Sequence, residues 1–252
     1  MKTAKSKPAP RRAYTSSGVN RRSYKQYCAL AHTLDLVGER WTLLLLRPLI
    51  AGFMRFKDLL EDHPGIGTNL LAARLKRLER EGIVRRVKLP PPAGSTVYEL
   101  TERGRALEPA MVALTKWGRK SLGLPRRGML YRPSWSVLAM KSTFRPEAAQ
   151  GVQETYEYRI DDEVFHVRVE DGTMEAAQGP GWRPAFVFTS DTQTFLRVGT
   201  GQLNSEEAIR TGALKLEGSM EALQRSFEIF GAAPGEAKEA LQVAAGKRKE
   251  ST

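Results

Sequence analysis

The stretch from Met54 to Thr101 constrains the fold of this chain most, because it places a cationic amphipathic pattern between a short helical run and two β-rich runs. Leu71, Leu75 and Leu78 recur at helical spacing and predict one apolar stripe on a helix that ends at Gly82. The opposite face is small and polar at its start and cationic further along, in the order Asn69, Ala73, Lys76, Arg77 and Arg80. A helix that enters a DNA major groove needs this order, because short side chains let the backbone approach base edges while Lys and Arg reach phosphates. Taken alone, the helix is equally typical of a solvated helix with a basic face.

The sequence on either side of this helix favours the DNA-binding interpretation. Upstream, Arg55–Asp62 is typical of a short helix, and the turn 63–67 cannot continue it because it contains proline and glycine. Two helices across a short glycine-containing turn predict a helix-turn-helix unit. Downstream, residues 83–89 and 95–100 predict a β-hairpin, since the loop 90–94 between them contains three prolines and cannot pair.

The candidate DNA contacts lie on the two helices and on the hairpin. The second helix offers small and cationic side chains to a major groove. Positive charge on the hairpin can lie along a DNA backbone or a minor groove. The predicted DNA-binding residues are Arg55, Thr68, Asn69, Ala73, Arg74, Lys76, Arg77, Arg85, Arg86 and Lys88.

Seven segments between Tyr27 and Leu122 resemble the HxlR family of bacterial winged-helix regulators. They are Tyr27–Leu30, Gly38–Thr42, Arg55–Leu59, Arg74–Glu79, Gly82–Val84, Val97–Gly104 and Trp117–Gly118. The resemblance implies a winged helix-turn-helix homodimer that binds double-stranded operator DNA. Two positions depart from the family's pattern: Ala29 stands where proline usually follows the cysteine, and Gly67-Thr68 replaces a serine-proline pair that often opens the recognition helix.

The predicted helix 101–122 suggests how two copies would pair. Thr101 is expected to cap it, and Pro109 should bend it because proline removes one helical hydrogen bond. Its apolar stripe consists of Leu107, Met111 and Leu114, with Trp117 beside it. Little in one copy is left to cover this stripe, so we expect a homodimer, with a predicted helix at Tyr24–Val37 contributing. Such a dimer would read an inverted repeat whose half-sites lie one DNA turn (~34 Å) or a multiple apart.

Charge is distributed unevenly along the chain. The net charge is +12, yet residues 1–123 carry 24 Lys and Arg against 10 Asp and Glu, while residues 124–252 carry 16 against 18. The positive field therefore belongs to the first half. This asymmetry is typical of a nucleic-acid module joined to a module with another task.

The second half has a different pattern, in which alternating strands precede helices. Strands are predicted at 155–160, 164–169, 173–177, 185–189 and 213–217, and helices near 134–140, 191–198, 205–210 and 219–230. The strands around Asp171-Gly172, the segments Phe195-Leu196, Gly201–Leu203 and Ala208-Ile209, and above all Gly212–Leu223 resemble the sterol carrier protein-2 (SCP2) family. The resemblance covers about Pro133–Gly231 and implies a domain that holds a small hydrophobic ligand between sheet and helices.

The candidate ligand-lining residues are large apolar side chains of this second half. They are Trp135, Phe144, Tyr156, Tyr158, Phe165, Phe186, Phe188, Phe195, Leu203 and Phe227. Taken singly, each of these side chains is more typical of an ordinary core position than of a ligand contact. These ten residues therefore locate a candidate ligand site, but they do not distinguish it from an ordinary hydrophobic core.

The fold class that follows is α+β, with five segments. Residues 1–23 are expected to be a disordered basic tail, 24–123 an HxlR-like winged-helix DNA-binding and dimerisation domain, and 124–132 a linker. Residues 133–231 are expected to form an SCP2-like α/β domain with a mostly antiparallel sheet, and 232–252 a flexible tail.

Several function classes find little support in the sequence. The one cysteine provides no intrachain disulfide framework and fits a reducing cytoplasm. The three histidines lie on different elements without metal-ligand spacing, and no phosphate-binding loop or nucleophile elbow is present. We therefore expect neither an enzyme nor a metal or other cofactor. No apolar run reaches the ~20 residues of a membrane helix, and the basic start lacks the hydrophobic core of a secretory signal.

Cys28 leaves two interpretations open. It lies near the start of a predicted helix, beside Lys25 and one turn before His32, and a helix start with nearby cations favours the reactive thiolate. It is also typical of a small buried hydrophobic residue.

Together, these features predict a dimeric DNA-binding transcriptional regulator, acting as a repressor, whose operator binding is modulated by a small hydrophobic ligand. The alternatives are a protein that sequesters a hydrophobic toxin or antibiotic, and a regulator that senses oxidants or electrophiles through Cys28.

Overall fold

A computed structural model describes residues 23–91, 94–123 and 128–231 of the chain. It divides the chain into two compact units, Met1–Glu39 and Arg40–Thr252. Residues 1–22 and 232–252 of the predicted tails, the hairpin-loop residues 92–93 and residues 124–127 of the predicted linker lie outside the described residues.

The described part of the first unit consists of helix α1, Ala29–Val37, and the segment before it. The predicted helix began at Tyr24, which is wrong by five residues. Lys25 has a φ of +52°, a left-handed conformation that a helix cannot contain. The Asp35 carboxylate holds the segment before α1, accepting hydrogen bonds from Ser23 Oγ at 2.8 Å and from the Tyr24 backbone N–H at 3.1 Å.

The second unit begins with a winged-helix part, defined here as residues 40–123. Its helices are α2 (Thr42–Leu49), α3 (Phe56–Glu61), α4 (Thr68–Arg80), α5 (Glu102–Arg105) and α6 (Glu108–Leu122), and its strands are β1 (Met54–Arg55), β2 (Val84–Lys88) and β3 (Thr96–Leu100). The strands form an antiparallel sheet in the order β1-β3-β2. Leucines of α2, α3 and α4 are fully buried and form the core behind α4.

The single helix predicted for residues 101–122 is two helices. Thr101 does act as an N-cap, because its hydroxyl accepts a hydrogen bond from Gly104 N at 3.1 Å, but it caps only the short α5. Pro109 lies in the first turn of a new helix, α6, where no backbone N–H is needed. Proline therefore starts the second helix rather than bending one long helix.

The C-terminal part, defined here as residues 128–231, follows in the same unit. Its helices are α7 (Ser136–Thr143), α8 (Thr192–Gly199), α9 (Ser205–Arg210) and α10 (Met220–Phe230), with short 3-10 turns at Pro133–Trp135 and Pro146–Ala149. Its strands are β4 (Gln153–Ile160), β5 (Glu163–Glu170), β6 (Thr173–Gln178), β7 (Phe186–Ser190) and β8 (Leu214–Gly218).

The strands form a mixed five-stranded sheet in the order β6-β5-β4-β7-β8. Only β4 and β7 run parallel, and the other three pairings are antiparallel, which confirms the predicted mostly antiparallel sheet. Alternation along β4 sends Tyr156, Tyr158 and Ile160 into the core. Helix α10 packs on β7, so the core of this part lies between sheet and helices.

Helix α6 is covered on one side by the C-terminal part. Lys141 Nζ of α7 lies 2.6 Å from Glu108 Oε1, and Arg119 Nη1 donates to Ser142 Oγ at 3.5 Å. The expectation that little in one copy covers this stripe is wrong for Met111, which is buried. Leu114 and Trp117 of the stripe remain 54% and 74% exposed.

Candidate nucleic-acid interface

Helix α4 has one fully buried face and one exposed face. Leu71, Leu75 and Leu78 are at most 1% exposed, which fixes the rotation of the helix about its axis. The small and polar positions of the other face point to solvent, and they are Thr68, Asn69, Ala73 and Lys76. Because the leucine stripe faces the core, the small and polar residues at the start of α4 face the solvent.

Two of the predicted arginines on α4 are less available than the sequence suggested. Arg74 and Arg77 are half-buried, and both already interact with other groups of the protein. Lys76 between them is exposed. Of these three cations, Lys76 is thus the most open to solvent.

The hairpin carries its positive charge in exposed ion pairs. Arg85 Nε donates to Glu99 Oε1 at 2.6 Å, within the hairpin. Arg86 Nε donates to Glu79 Oε1 of α4 at 3.0 Å, and this hydrogen bond raises the pKa of Arg86. Exposed pairs of this kind contribute little to stability, so a phosphate can replace the carboxylate at small cost. Lys88, at the end of β2, is exposed.

Arg55 is held on the opposite edge of the hairpin sheet. Its strand β1 pairs with β3, where Arg55 faces Val97, while Arg86 on β2 pairs with Tyr98. The predicted DNA-binding residues therefore form an α4 group and a β2 group, with Arg55 across the sheet.

The turn before α4 is fixed by a buried histidine, His63, to which the sequence analysis assigned no role. The His63 ring nitrogens lie 2.7 Å from Leu59 O and 3.0 Å from Leu44 O, so the ring joins α3 to α2. Asp62 beside it is also buried. Burial raises the pKa of Asp62, while nearby Arg132, His63 and Arg47 oppose that shift. No local pattern in the sequence marks Asp62 and His63 as buried, because polar residues next to a turn are ordinarily exposed.

Seven of the ten predicted ligand-lining residues come together in one aromatic cluster. The cluster consists of Phe144, Tyr156, Tyr158, Phe165, Phe186, Phe188, Phe195 and, not predicted, Phe230, whose neighbouring ring centroids are 4.8 to 6.3 Å apart. Most of these rings are buried, and Tyr158 stacks on Phe165 at 5.0 Å. An apolar guest would therefore have to displace rings that already pack on one another.

A polar group borders the aromatic cluster. Tyr156 Oη donates to Glu154 Oε2 at 2.7 Å, and Arg225 Nη2 of α10 donates to Glu154 Oε1 at 2.6 Å. Although burial acts to raise the pKa of Glu154, the hydrogen bonds from Arg225 and Tyr156 leave it lowered. This carboxylate joins β4 to α10 beside the rings.

The other three predicted ligand-lining residues are not members of the aromatic cluster. Trp135 lies against the winged-helix part, with the Arg47 guanidinium carbon 3.5 Å from the centroid of its ring. Leu203 and Phe227 are half-buried.

Cys28 is the N-cap residue of α1 and an exposed thiol. The interpretation as a small buried hydrophobic residue is therefore wrong. Among the residues that the structure describes, no group of three or more His, Cys, Asp or Glu side chains is arranged to hold a metal ion. Within the same described ranges, no helix combines the length and apolar character needed to cross a membrane.

Known proteins match the two halves of the chain separately. Residues 36–124 match the HxlR-like helix-turn-helix family, and residues 138–231 match the SCP-2 sterol transfer family. The uncharacterised HTH-type transcriptional regulator YdeP of Bacillus subtilis (strain 168) is 39% identical over 95 residues, which is 37% of this chain and 73% of YdeP. The chain belongs to the HxlR-like helix-turn-helix family of transcriptional regulators.

Other similar proteins align with this HxlR-family chain over a comparable share of its length. The HTH-type transcriptional regulator YodB of Bacillus subtilis (strain 168) is 40% identical over 83 residues, which is 33% of this chain and 74% of YodB. A solved structure of the redox regulator HypR in its oxidised form is 33% identical, with a TM-score of 0.36, and the match covers 38% of this chain and 100% of that one. Both family resemblances drawn from the sequence are confirmed.

Proposed function

We propose that this HxlR-family protein is a homodimeric repressor that binds an inverted-repeat operator and is released by a small hydrophobic ligand held in the C-terminal part. The observation that carries the proposal is the orientation of α4. Its leucine stripe is buried, and Thr68, Asn69, Ala73 and Lys76 point outward. Small side chains first and a cation one turn further are what a major groove accommodates.

The β2 group supports the same function. Arg86 is exposed and bound to Glu79 on α4, so the hairpin and the recognition helix are joined at their charged surfaces. A DNA backbone that approaches both would exchange these carboxylate contacts for phosphate contacts. Helix α4 and the hairpin would then contact adjacent grooves of the DNA.

Apolar surface that remains on each unit supports the dimer. In the second unit, Leu114 and Trp117 lie three residues apart on α6 and are both mainly exposed. In the first unit, Leu30 and Leu34 of α1 are exposed at helical spacing. A second copy that covers these side chains would remove them from water.

The aromatic cluster supports an apolar ligand and limits how it enters. Because the rings pack directly on each other, uptake would move side chains of the sheet and of α10. A ligand that favours the moved arrangement would shift the protein toward it and change its affinity for DNA.

Titration of a selected duplex tests the DNA-binding assignment. The full-length protein selects double-stranded oligonucleotides from a random library, and fluorescence anisotropy then measures their affinity at several salt concentrations. Lys76→Ala should weaken binding, and if Lys76 contacts a phosphate the slope of log affinity against log salt should fall by about one. Arg168→Ala, on the exposed surface of β5, is the matched control and should leave affinity and slope unchanged. Equal affinity and slope for wild type and Lys76→Ala would contradict the assigned face.

The exposed Cys28 thiol favours one second candidate, release of DNA by an electrophile that modifies this residue. Cys28→Ser decides between the two candidates, because it removes the thiol and leaves the aromatic cluster intact. Loss of electrophile-induced DNA release in Cys28→Ser would favour thiol sensing. Unchanged release would rule it out.

A further inference from the structure

The turn between α3 and α4 is held by the segment that leads into the C-terminal part. Arg132 Nε lies 3.2 Å from Asp62 Oδ1, a close contact of opposite charges with the N–H not aligned as a hydrogen bond. Asp62 is buried, so its charge depends on this partner. The contact lies six residues before α4 begins at Thr68.

Trp135 adds an aromatic contact to the same turn. Its ring centroid is 6.4 Å from that of His63, and the guanidinium carbon of Arg47 on α2 lies over the Trp135 ring, 3.5 Å from its centroid. Burial lowers the pKa of Arg47 to about 10, against the opposing effect of Asp62. We call Asp62, His63, Arg132 and Trp135 the turn contact.

The turn contact is tied to the strand that carries Phe165. Glu163 Oε2 accepts a hydrogen bond from Ser134 N at 2.9 Å, within the segment that bears Arg132 and Trp135. Glu163 and Phe165 are two residues apart on β5 and so point to the same face of the sheet. A displacement of Phe165 along its strand would thus reach the turn before α4 through the Glu163–Ser134 hydrogen bond and the Arg132–Asp62 contact.

The cross-strand partner of Phe165 makes a second contact with the winged-helix part. Phe165 pairs with Gln178 at the end of β6. Gln178 N donates to Ala51 O at 3.0 Å, and its Nε2 donates to Met54 Sδ at 3.1 Å, just before and within β1. We call this the strand contact, and through β1 it touches the sheet that carries the hairpin.

We propose that the C-terminal part positions the recognition helix and the hairpin through these two contacts, and that Phe165 is the ring of the aromatic cluster whose movement they transmit. The inference rests on the proposed function and specifies its regulation. Arg132 and Glu163 are positioning residues, because they act on α4 through the turn. Loosening Phe165 releases the turn contact and lowers DNA affinity.

Two Phe→Leu substitutions test whether Phe165 has a role that another ring of the aromatic cluster lacks. Phe165→Leu perturbs the ring on β5. Phe188→Leu is the matched control, because Phe188 is equally buried and also lies next to Tyr158, but its strand β7 pairs only with β4 and β8. Hydrogen exchange of the full chain without DNA should be at least about tenfold faster at the backbone amides of residues 62, 63, 65 and 66 in Phe165→Leu and change less than about threefold in Phe188→Leu. Equal exchange at these amides in both variants would overturn the proposal.

A double-mutant cycle then tests transmission to DNA. With the selected duplex, Phe165→Leu should lower affinity at least about fivefold in wild type and less than about twofold in Arg132→Gln. In Arg168→Gln, whose pair with Glu175 lies within the C-terminal part, the full effect should persist. Additive effects of Phe165→Leu and Arg132→Gln would overturn the proposal.

The design separates the two hypotheses and allows for misfolding. If the wild type binds no duplex, the proposed function fails, while the exchange measurement still tests the mechanical link. If circular dichroism shows that Phe165→Leu is unfolded, Glu163→Ala replaces it, with Glu170→Ala of the same strand as control. Glu163→Ala should accelerate exchange at residues 62, 63, 65 and 66 and Glu170→Ala should not, and the reverse would overturn the proposal.

Discussion

The outer face of α4 and the aromatic cluster both rest on buried apolar side chains, but they differ in what they leave for a partner. The leucines behind α4 are buried so that polar and cationic side chains can point outward. In the aromatic cluster the candidate binding side chains are themselves the buried core. A surface site can therefore bind a partner without moving the buried side chains behind it. An interior site can bind a ligand only if the core side chains move. This difference makes the aromatic cluster the natural place for a switch and α4 the natural place for recognition.

Removing the support of α4 should have the largest effect. Leu75→Ala should destabilise the protein by about 2–5 kcal/mol, because a fully buried leucine loses its packing and leaves a cavity. Leu70→Ala on the same helix is the control, since Leu70 is 38% exposed. Urea denaturation followed by circular dichroism measures both variants. A Leu75→Ala loss no larger than that of Leu70→Ala would contradict the buried stripe.

Dimer formation should be the next most sensitive property. Trp117→Lys should weaken self-association by about 2 kcal/mol or more, as expected for a central aromatic residue of an interface. Trp182→Lys is the matched control, because Trp182 is 82% exposed but lies in the loop between β6 and β7. Sedimentation equilibrium distinguishes the two variants. Unchanged association of Trp117→Lys would place the dimer surface elsewhere.

The two groups of cations should differ in how they affect DNA. A base contact by Lys76 on α4 would cost about 1–3 kcal/mol on Lys76→Ala and relax sequence preference at one position. Arg86→Ala on the hairpin should weaken binding to all sequences equally and reduce the salt slope, because a backbone contact carries no sequence information. Affinity measured on the selected duplex and on single-base variants separates these outcomes. A change of sequence preference in Arg86→Ala would mean that Arg86 contacts a base and would contradict its assignment to the DNA backbone.

The smallest effects should come from pH, and they should have opposite signs in the two regions. The pKa of Glu154 is lowered in the fold, so its stabilising contribution is present above its ordinary pKa and is lost as pH falls through the lowered value. The pKa of Asp62 is raised by burial, so its protonated form is favoured in the fold and stability is gained as pH falls through the raised value. In thermal melts between about pH 7 and 3.5, Glu154→Gln should flatten the loss of stability on acidification and Asp62→Asn should steepen it. If both variants changed the pH dependence of stability in the same direction, the predicted opposite signs would be contradicted.

Local patterns in the sequence predicted much of this structure. The leucine spacing of α4, the proline-rich interruption of the hairpin and the alternation of β4 and β5 each depend on neighbours within a few residues. The N-caps Asn204 and Ser219 are likewise local features, since each side chain accepts hydrogen bonds from the first turn of its own helix. Such features are encoded by periodicity and turn chemistry.

Contacts between distant segments were not predictable in this way. Asp62 and Arg132 are far apart in sequence and carry no local signal of their contact. Trp135 was assigned to the ligand lining because a large aromatic residue is equally suited to a core and to an interface. The late start of α1 also escaped prediction, because it depends on hydrogen bonds from Ser23 and Tyr24 to the Asp35 carboxylate. The sequence gives the types of these residues, while only the fold shows which contacts they make.

Hydroxyl-radical footprinting of the full-length protein on the selected duplex tests the central claim most directly, since it reports where α4 and the hairpin lie on DNA. The account predicts two protected segments related by a two-fold axis, with centres one helical turn, ~34 Å, or a multiple of it apart. It also predicts that Lys76→Ala weakens both segments together. Uniform cleavage along the duplex, or a single protected segment, would contradict it.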